Sequence, residues 1–405
     1  MTPPLALYIH VPFCAARCHY CDFNTYAGLE DLFAPYALAL SEEIRREGRA
    51  RARPRARTLY VGGGTPTVLP PDLLSMVVDA CREAFDVDSD AEFSCEANPG
   101  TADLARFAAL RQMGANRLSM GIQSFDDAEL RWLGRIHTAA EAESAFLAAR
   151  SAGFANINLD FIFGLPQQSP QTWLRTLAHA IALQPEHLSL YSLTVEAGTP
   201  LAAEVRRGRA AAPDDDLAAD LYLAACDTLS AAGYTHYEIS NWARPTPCCQ
   251  PGETVTSTPA GQGGDLCGNH QCQHNLVYWR NEPYLGFGAG AHSYDGRRRW
   301  WNVRAVPAYI RRIGEGRKAA AGGESITQRL AMGEIMMLGL RLVEEGVSRE
   351  RFRARFGAPL EEVFGQELGQ LKARNLLEIM PDRVRLAPQA RLLGNQVFAQ
   401  FLPEG

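Results

Sequence analysis

The 405-residue chain has no uninterrupted apolar run of the roughly eighteen residues that a membrane-spanning helix needs. Its apolar opening, Leu5–Phe13, has no basic segment before it and no small-residue cleavage pattern after it. It reads as a buried strand, not a signal peptide, and the chain as cytoplasmic. Positive charge is not in excess. A formal net charge of −6 removes the global reason to expect nucleic-acid binding, and the C-terminal region offers no basic recognition helix. The remaining composition, 46% apolar and 21% charged, is that of a soluble globular chain with room for two or three packed units.

Ten cysteines would permit disulfides in a secreted protein, but three of them crowd into the segment Cys14–Cys21 and no export signal accompanies them. In a reducing compartment such clustering points to metal or catalysis.

From Leu5 to Thr194 short apolar or β-branched runs alternate with longer helical patterns, the mark of a parallel α/β architecture. The expected strands are Leu5–Val11, Thr58–Val61, Ala91–Cys95, Arg117–Ile122, Asn156–Phe163 and Glu186–Leu193. Helical stretches such as Leu73–Phe85, Thr138–Ala152 and Gln171–Leu183 separate them. Six units imply an incomplete parallel (β/α)6 barrel, although the count alone also suits a doubly wound sheet. Polar or glycine-rich groups recur at the strand ends (the cysteine loop, Gly62–Thr65, Glu96, Gln123 and Asp160), which a barrel would gather on one face. After a helix at Asp214–Ala232, residues 245–273 are rich in Pro, Gly, Thr and Cys without a period and read as a loop insertion. From Ser325 helices are expected at Ile326–Glu345, Arg349–Phe356, Leu360–Arg374 and Leu392–Phe401, with a hairpin around Pro381–Asp382. This gives a mainly helical, winged-helix-like C-terminal domain, read as a packing unit. The division is 1–240 for the core domain, 241–324 for a connector carrying the insertion, and 325–405 for the C-terminal domain.

Cys14, Cys18 and Cys21 form C-x-x-x-C-x-x-C on the loop after the first strand. Four-iron clusters normally take one thiolate per iron, so three local cysteines hold a 4Fe–4S cluster and leave one iron open. A chelating small molecule with an amino nitrogen and a carboxylate suits that iron. The alternatives, a zinc site or three unrelated core cysteines, lack the second ligand pair that zinc modules bring.

This triplet, joined to Gly62-Gly-Gly-Thr-Pro-Thr67 after the second strand, resembles the radical S-adenosylmethionine (SAM) superfamily. The glycines let backbone approach the methionyl end of SAM. Tyr8-Ile-His-Val-Pro-Phe-Cys14, Glu96-Ala-Asn-Pro99, Met120-Gly-Ile-Gln123, Asp160-Phe-Ile-Phe-Gly-Leu-Pro166 and Tyr237-Glu-Ile-Ser-Asn241 narrow the likeness. They resemble the oxygen-independent coproporphyrinogen III oxidases and their HemW relatives, over nearly the whole chain. The resemblance implies that Tyr8, Gly63, Gly64, Thr65, Glu96, Gln123, Arg135 and Asp160, with Tyr20 inside the cysteine loop, contact SAM. The residue chemistry agrees: Glu96 can accept from an ammonium, Asp160 can hold ribose hydroxyls and Arg135 can meet a carboxylate.

Two functions follow from the resemblance, radical decarboxylation of coproporphyrinogen III in porphyrin biosynthesis and haem delivery by a chaperone that is not itself an enzyme. The oxidases resemble C-x-x-x-C-x-x-C-x-C, whereas Phe23 stands two residues after Cys21, and only thirteen residues precede Cys14. His274-Asn-Leu-Val-Tyr-Trp279 looks like the H-N-x-x-Y-W motif of the chaperones. The chaperone reading implies haem and haem-acceptor proteins, respiratory ones among them, as partners. His274 is either an axial haem ligand or a structural histidine held in its loop. The basic run Arg297–Lys318, with Trp300, Trp301 and Tyr309, either meets haem propionates or is a solvated face. Cys248, Cys249, Cys267, Cys272 and His270 are loosely metal-like but fit no standard zinc module, and Cys81, Cys95 and Cys226 read as core.

Overall fold

The computed structural model describes residues 4–245 and 270–403. Six βα units open the chain: β1 (Leu5–Val11), α1 (Phe33–Ala50), β2 (Arg55–Gly63), α2 (Pro71–Ala84), β3 (Asp86–Ala97), α3 (Leu104–Gln112), β4 (Arg117–Gln123), α4 (Asp127–Leu133), α5 (Ala139–Ser151), β5 (Ile157–Phe163), α6 (Pro170–Ala182) and β6 (His187–Ser192), followed by α7 (Pro200–Arg206) and α8 (Asp215–Ala231). Each of β1 to β5 pairs in parallel with its successor. A doubly wound sheet would reverse this order at a switch point, and the unbroken order decides for the incomplete barrel. Local signals set the helix starts. Thr138 and Glu141 close a capping box on α5, and Ser169 caps α6 with Pro170 at its first position.

β7 (Thr235–Glu238) and β8 (Asn241–Ala243) continue the sheet antiparallel beyond β6. Beyond residue 245 the described chain resumes at His270, whose N–H donates to Arg244 O, so it leaves and re-enters at adjacent points. α9 (Gln273–Trp279) follows, then β9 (Tyr284–Phe287) beside β1, β10 (His292–Tyr294), β11 (Arg298–Asn302), α10 (Val306–Gly314) and β12 (Ala320–Ser325). Among the described residues the sheet has twelve strands. The last unit is α11 (Gln328–Gly339), β13 (Val347–Ser348), α12 (Arg349–Phe356), α13 (Leu360–Ala373), β14 (Leu377–Ile379), β15 (Arg383–Leu386) and α14 (Gly394–Ala399), a helical unit with a three-stranded wing and its own core around Phe352, Phe364, Val384 and Phe398.

Three features depart from the sequence expectation. α11 stops at Gly339 instead of Glu345, because the next residues pair with the β7–β8 hairpin: Arg341 O accepts from Ile239 N, and Val343 N donates to Tyr237 O. α1 was not foreseen; it buries Tyr36, Leu40 and Ile44 in the main core beside Leu74 and Val77 of α2. The His274–Trp279 segment, expected as a loop, is the helix α9. Its cap is tertiary: Glu92 of β3 accepts from Gln273 N at 2.9 Å and His274 N at 3.0 Å. No local sequence signal reports a cap that lies some 180 residues away.

α9 closes one end of the barrel. It is reached from β2, where Thr58 Oγ1 lies 2.8 Å from His274 Nδ1, and from the β6 side, where Tyr237 Oη accepts from Cys272 N at 3.3 Å and contacts His187 Nε2 at 2.9 Å. The carboxyl ends of the strands, with the cysteine loop, form the opposite, open end.

Candidate cofactor cleft

At the open end lies a cavity of about 460 Å3. Cys14, Cys18, Cys21, Tyr20, Gly63, Gly64, Thr65, Glu96, Gln123, Arg135 and Asp160 all line it. Eleven expected residues, drawn from the cysteine loop to β5, therefore share one wall system. Tyr8 and His274 do not. Tyr8 lies deeper, its Oη 2.9 Å from His10 Nδ1, and His10 fills the space beneath Gly63.

The glycines are explained by their neighbours. Gly63 has φ of +111°, and a Cβ there would collide with the His10 ring; one on Gly64 would lie 2.5 Å from Phe13 O. A Cβ on Gly121 would meet Asn98 Oδ1 at 2.7 Å. At the same strand end β4 slips register between Gly121 and Gln123, and Gln123 takes a φ of +70°, which re-aims its side chain at the cavity rim.

Two carboxylates sit deep in the cleft. Glu96 accepts from Tyr60 Oη at 2.8 Å and Gly63 N at 2.9 Å. Burial, foremost, and the charge of Asp160 push its pKa up to about 7. Asp160 accepts from Ser119 Oγ at 3.0 Å and Asn158 Nδ2 at 2.8 Å, and burial raises its pKa as well. Both acids would be relieved by a cation. Arg135 is the opposite case: its guanidinium donates to Cys18 Sγ at 3.3 Å, Asn98 Oδ1 at 2.6 Å and Gly121 O at 2.7 Å, yet its Nε is buried without a partner. The cleft thus offers paired acids to accept from amino N–H groups and hydroxyls and an unsatisfied guanidinium N–H for a carboxylate, and these donors and acceptors fit SAM.

Among the described residues no three His, Cys, Asp or Glu side chains converge to hold a single metal ion. A four-iron cluster asks for something else, one thiolate on each of three irons around a volume, and three cysteines on one cavity wall suit it. Cys248, Cys249 and Cys267 of the metal-like group lie outside the described residues. Cys272 is buried at the start of α9 with its Sγ donating to Glu92, a capping position and not an exposed zinc ligand. Cys81 and Cys95 are buried in the main core as expected, and Cys226 packs against it.

His274 is buried, and both ring nitrogens are engaged: Nδ1 with Thr58, and Nε2 with Tyr278 Oη at 2.9 Å. Its ring stacks on Tyr60 at 5.1 Å. In this conformation it has no nitrogen open to a haem iron, and its surroundings are those of a structural histidine. Burial, then Arg117 and Arg57, lower its pKa to about 3, so it is neutral near pH 7. The basic run is occupied only in part: Arg317 pairs with Glu315, whereas the side chains of Arg297, Arg298, Arg304, Arg311 and Lys318 make no hydrogen bond or ion pair among the described residues. Arg299 pairs with Glu324 and Glu334, Arg312 donates to Ala320 O, and Tyr309 is buried on Glu43.

Sequence reasoning missed Tyr60, Asn98, Ser119 and Tyr191 as cavity residues. A strand's period of two supplies the signal for three of them: Tyr60, Ser119 and Tyr191 share parity with the inward-facing Thr58, Gly121 and Ser189 of their own strands.

The sequence model of the radical SAM superfamily matches residues 8–180, and that of the HemN C-terminal domain matches residues 326–393. Heme chaperone HemW of Bacillus subtilis (strain 168) is 37% identical over 398 residues, covering 98% of this chain and 99% of that protein. HemW of Escherichia coli (strain K12) is 33% identical over 408 residues, covering 99% of each. A solved structure of coproporphyrinogen III oxidase (HemN) from Escherichia coli superposes with a TM-score of 0.79 over 99% of this chain and 90% of that one; at 23% identity this likeness concerns the fold. No helix among the described residues is long and apolar enough to cross a membrane. Full-length identity to the chaperones, over a barrel with this cleft, places the chain in the HemW family of the radical SAM superfamily.

Proposed function

We propose that this protein binds haem and passes it to acceptor proteins, carrying a 4Fe–4S cluster on Cys14, Cys18 and Cys21 and an exchangeable SAM beside it. The observation that carries the reading is identity to heme chaperones along 98% of the chain, through core, connector and C-terminal unit alike. The parts divide as 1–240, 241–324 and 325–405. In the cleft Glu96 would accept from the N–H of the SAM amino group and Asp160 from the ribose hydroxyls, while Arg135 would meet the carboxylate through its free Nε–H. Gly63, Gly64 and Thr65 would give close backbone approach, and Tyr20 and Gln123 would close the sides. A bound cluster supplies an iron open to SAM and a one-electron store. Ligation of haem iron by His274 would first require release from Thr58 and Tyr278.

The test is direct. Anaerobically reconstituted protein is loaded with one equivalent of haem, separated from free haem, and mixed with an apo-haemoprotein whose holo spectrum is distinct. Transfer faster than from free haem in buffer supports the reading; no stable haem complex defeats it.

A further inference from the structure

Each cysteine of the triplet meets one hydrogen-bonding group, and the three groups come from separate places in the chain. Arg135, just after α4, donates from Nη1 to Cys18 Sγ at 3.3 Å. Thr65, at the end of β2, donates from Oγ1 to Cys14 Sγ at 3.7 Å. Thr25, beyond the triplet on the same loop, holds its Oγ1 3.8 Å from Cys21 Sγ. The surroundings fix the direction of these bonds. Thr65 Oγ1 already accepts from Asn98 Nδ2 at 2.7 Å, which turns its own proton toward Cys14. Asn98 is held in that orientation because its Oδ1 accepts from Arg135 Nη2 at 2.6 Å. Thr25 is buried, and among the described residues its hydroxyl bonds to no oxygen or nitrogen. A thiolate bound to iron carries no proton, so toward it the Thr25 hydroxyl must donate.

We propose that Thr25, Thr65 and Arg135, with Asn98 positioning Thr65, place one hydrogen bond on each cluster sulfur and so raise the reduction potential of the cluster; this inference rests on the cluster reading above. Reduction adds one electron, supplied by an external low-potential reductant, to a group that already carries the charge of its thiolates. A donor aimed at a sulfur stabilises the electron-richer form more, which makes hydrogen bonds to sulfur a determinant of cluster potential. Burial strengthens the effect, since Thr25 and Thr65 are both shielded from water. Arg135 reaches two of the sulfurs, Cys18 directly and Cys14 through Asn98 and Thr65. Its Nε stays free, so one guanidinium serves the cluster loop and the proposed SAM carboxylate position together. Asn98 is a positioning residue: it bonds no sulfur itself and acts through the Thr65 hydroxyl.

The full-length protein, anaerobically reconstituted and free of SAM, is titrated potentiometrically while the reduced cluster is followed by electron paramagnetic resonance. Thr25→Val should lower the ratio of reduced to oxidised cluster about tenfold at a given potential, which is about 59 mV for one electron, and Thr25→Ser should restore it. Asn98→Ala should shift the midpoint in the same direction by releasing the Thr65 hydroxyl. Thr176→Val, a buried change on α6 that does not line the cavity, should leave the midpoint where it is. A wild-type midpoint in Thr25→Val, or equal falls in Thr25→Val and Thr25→Ser, overturns the inference while leaving the cluster in place. If Thr25→Val takes up no cluster, the Asn98→Ala midpoint decides alone, a fall supporting the inference and a wild-type value overturning it. Absence of an iron–sulfur signal from the wild type would instead strike the cluster reading itself.

Discussion

His274→Ala separates a structural histidine from a surface ligand more sharply than any other single change. The substitution removes an imidazole whose two nitrogens engage Thr58 and Tyr278 at 2.8 and 2.9 Å, and whose ring stacks on Tyr60. Two hydroxyls are left buried with a lost partner each, and a ring-sized void opens between α9 and β2. Unsatisfied polar groups cost about 1–3 kcal/mol each and a void adds to that, so the loss should be roughly 3–5 kcal/mol. The pH dependence carries a second signature. The folded-state pKa of about 3 lies below the unfolded value, so the unfolded chain takes up a proton first as pH falls. The contribution of neutral His274 is therefore full above about pH 6.5 and drains away as pH falls toward 3. Over the two units from 6.5 to 4.5 it shrinks by about 2–3 kcal/mol. Urea denaturation of wild type and variant at several pH values reads both quantities. Near-equal midpoints at pH 7.5, or a stability gap that does not narrow on acidification, would refute the buried, neutral placement.

Cys18→Ala should abolish the iron–sulfur absorbance of the reconstituted protein, whereas Cys81→Ala, a buried core change, should keep it; visible spectra and iron counts decide. Because burial raises Glu96 to about 7, SAM binding should strengthen as pH rises through 7 and the carboxylate ionises. Glu96→Gln should weaken SAM at least tenfold at pH 8 and erase that slope, as read by calorimetric titration. Gly63→Ala, where a Cβ meets the His10 ring at φ of +111°, should lose more than about 2 kcal/mol in thermal unfolding. Gly208→Ala, also at positive φ but with open space around it, should cost only about 1 kcal/mol.

The barrel was legible because its signals are local. β1 spans Leu5–Val11 as read from its apolar run, and Arg349–Phe356 matches α12 end to end. Residues at the strand ends were legible because a parallel barrel collects them on one face whatever their separation, which is how Glu96, Gln123 and Asp160 came to share a cavity. The register slip and positive φ at Gln123 left no trace in composition. What escaped depends on contacts across the chain. α9 is capped by Glu92, Arg117 is buried at the start of β4 beside Cys272 and Glu92, and Arg299 of the basic run finds carboxylates on β12 and α11. The sequence left His274 open between haem ligand and structural histidine because it gives residue type and not depth. Burial and two hydroxyl partners decide what an imidazole can do.

The central claim is haem transfer, and the most direct measurement runs two assays side by side on one anaerobically reconstituted preparation. One follows haem from the loaded protein to an apo-haemoprotein. The other follows coproporphyrinogen III with SAM and a low-potential reductant. The account predicts stoichiometric haem binding, transfer to the acceptor, and no decarboxylation. Turnover of coproporphyrinogen III to protoporphyrinogen IX, with no haem retained or passed on, would contradict it.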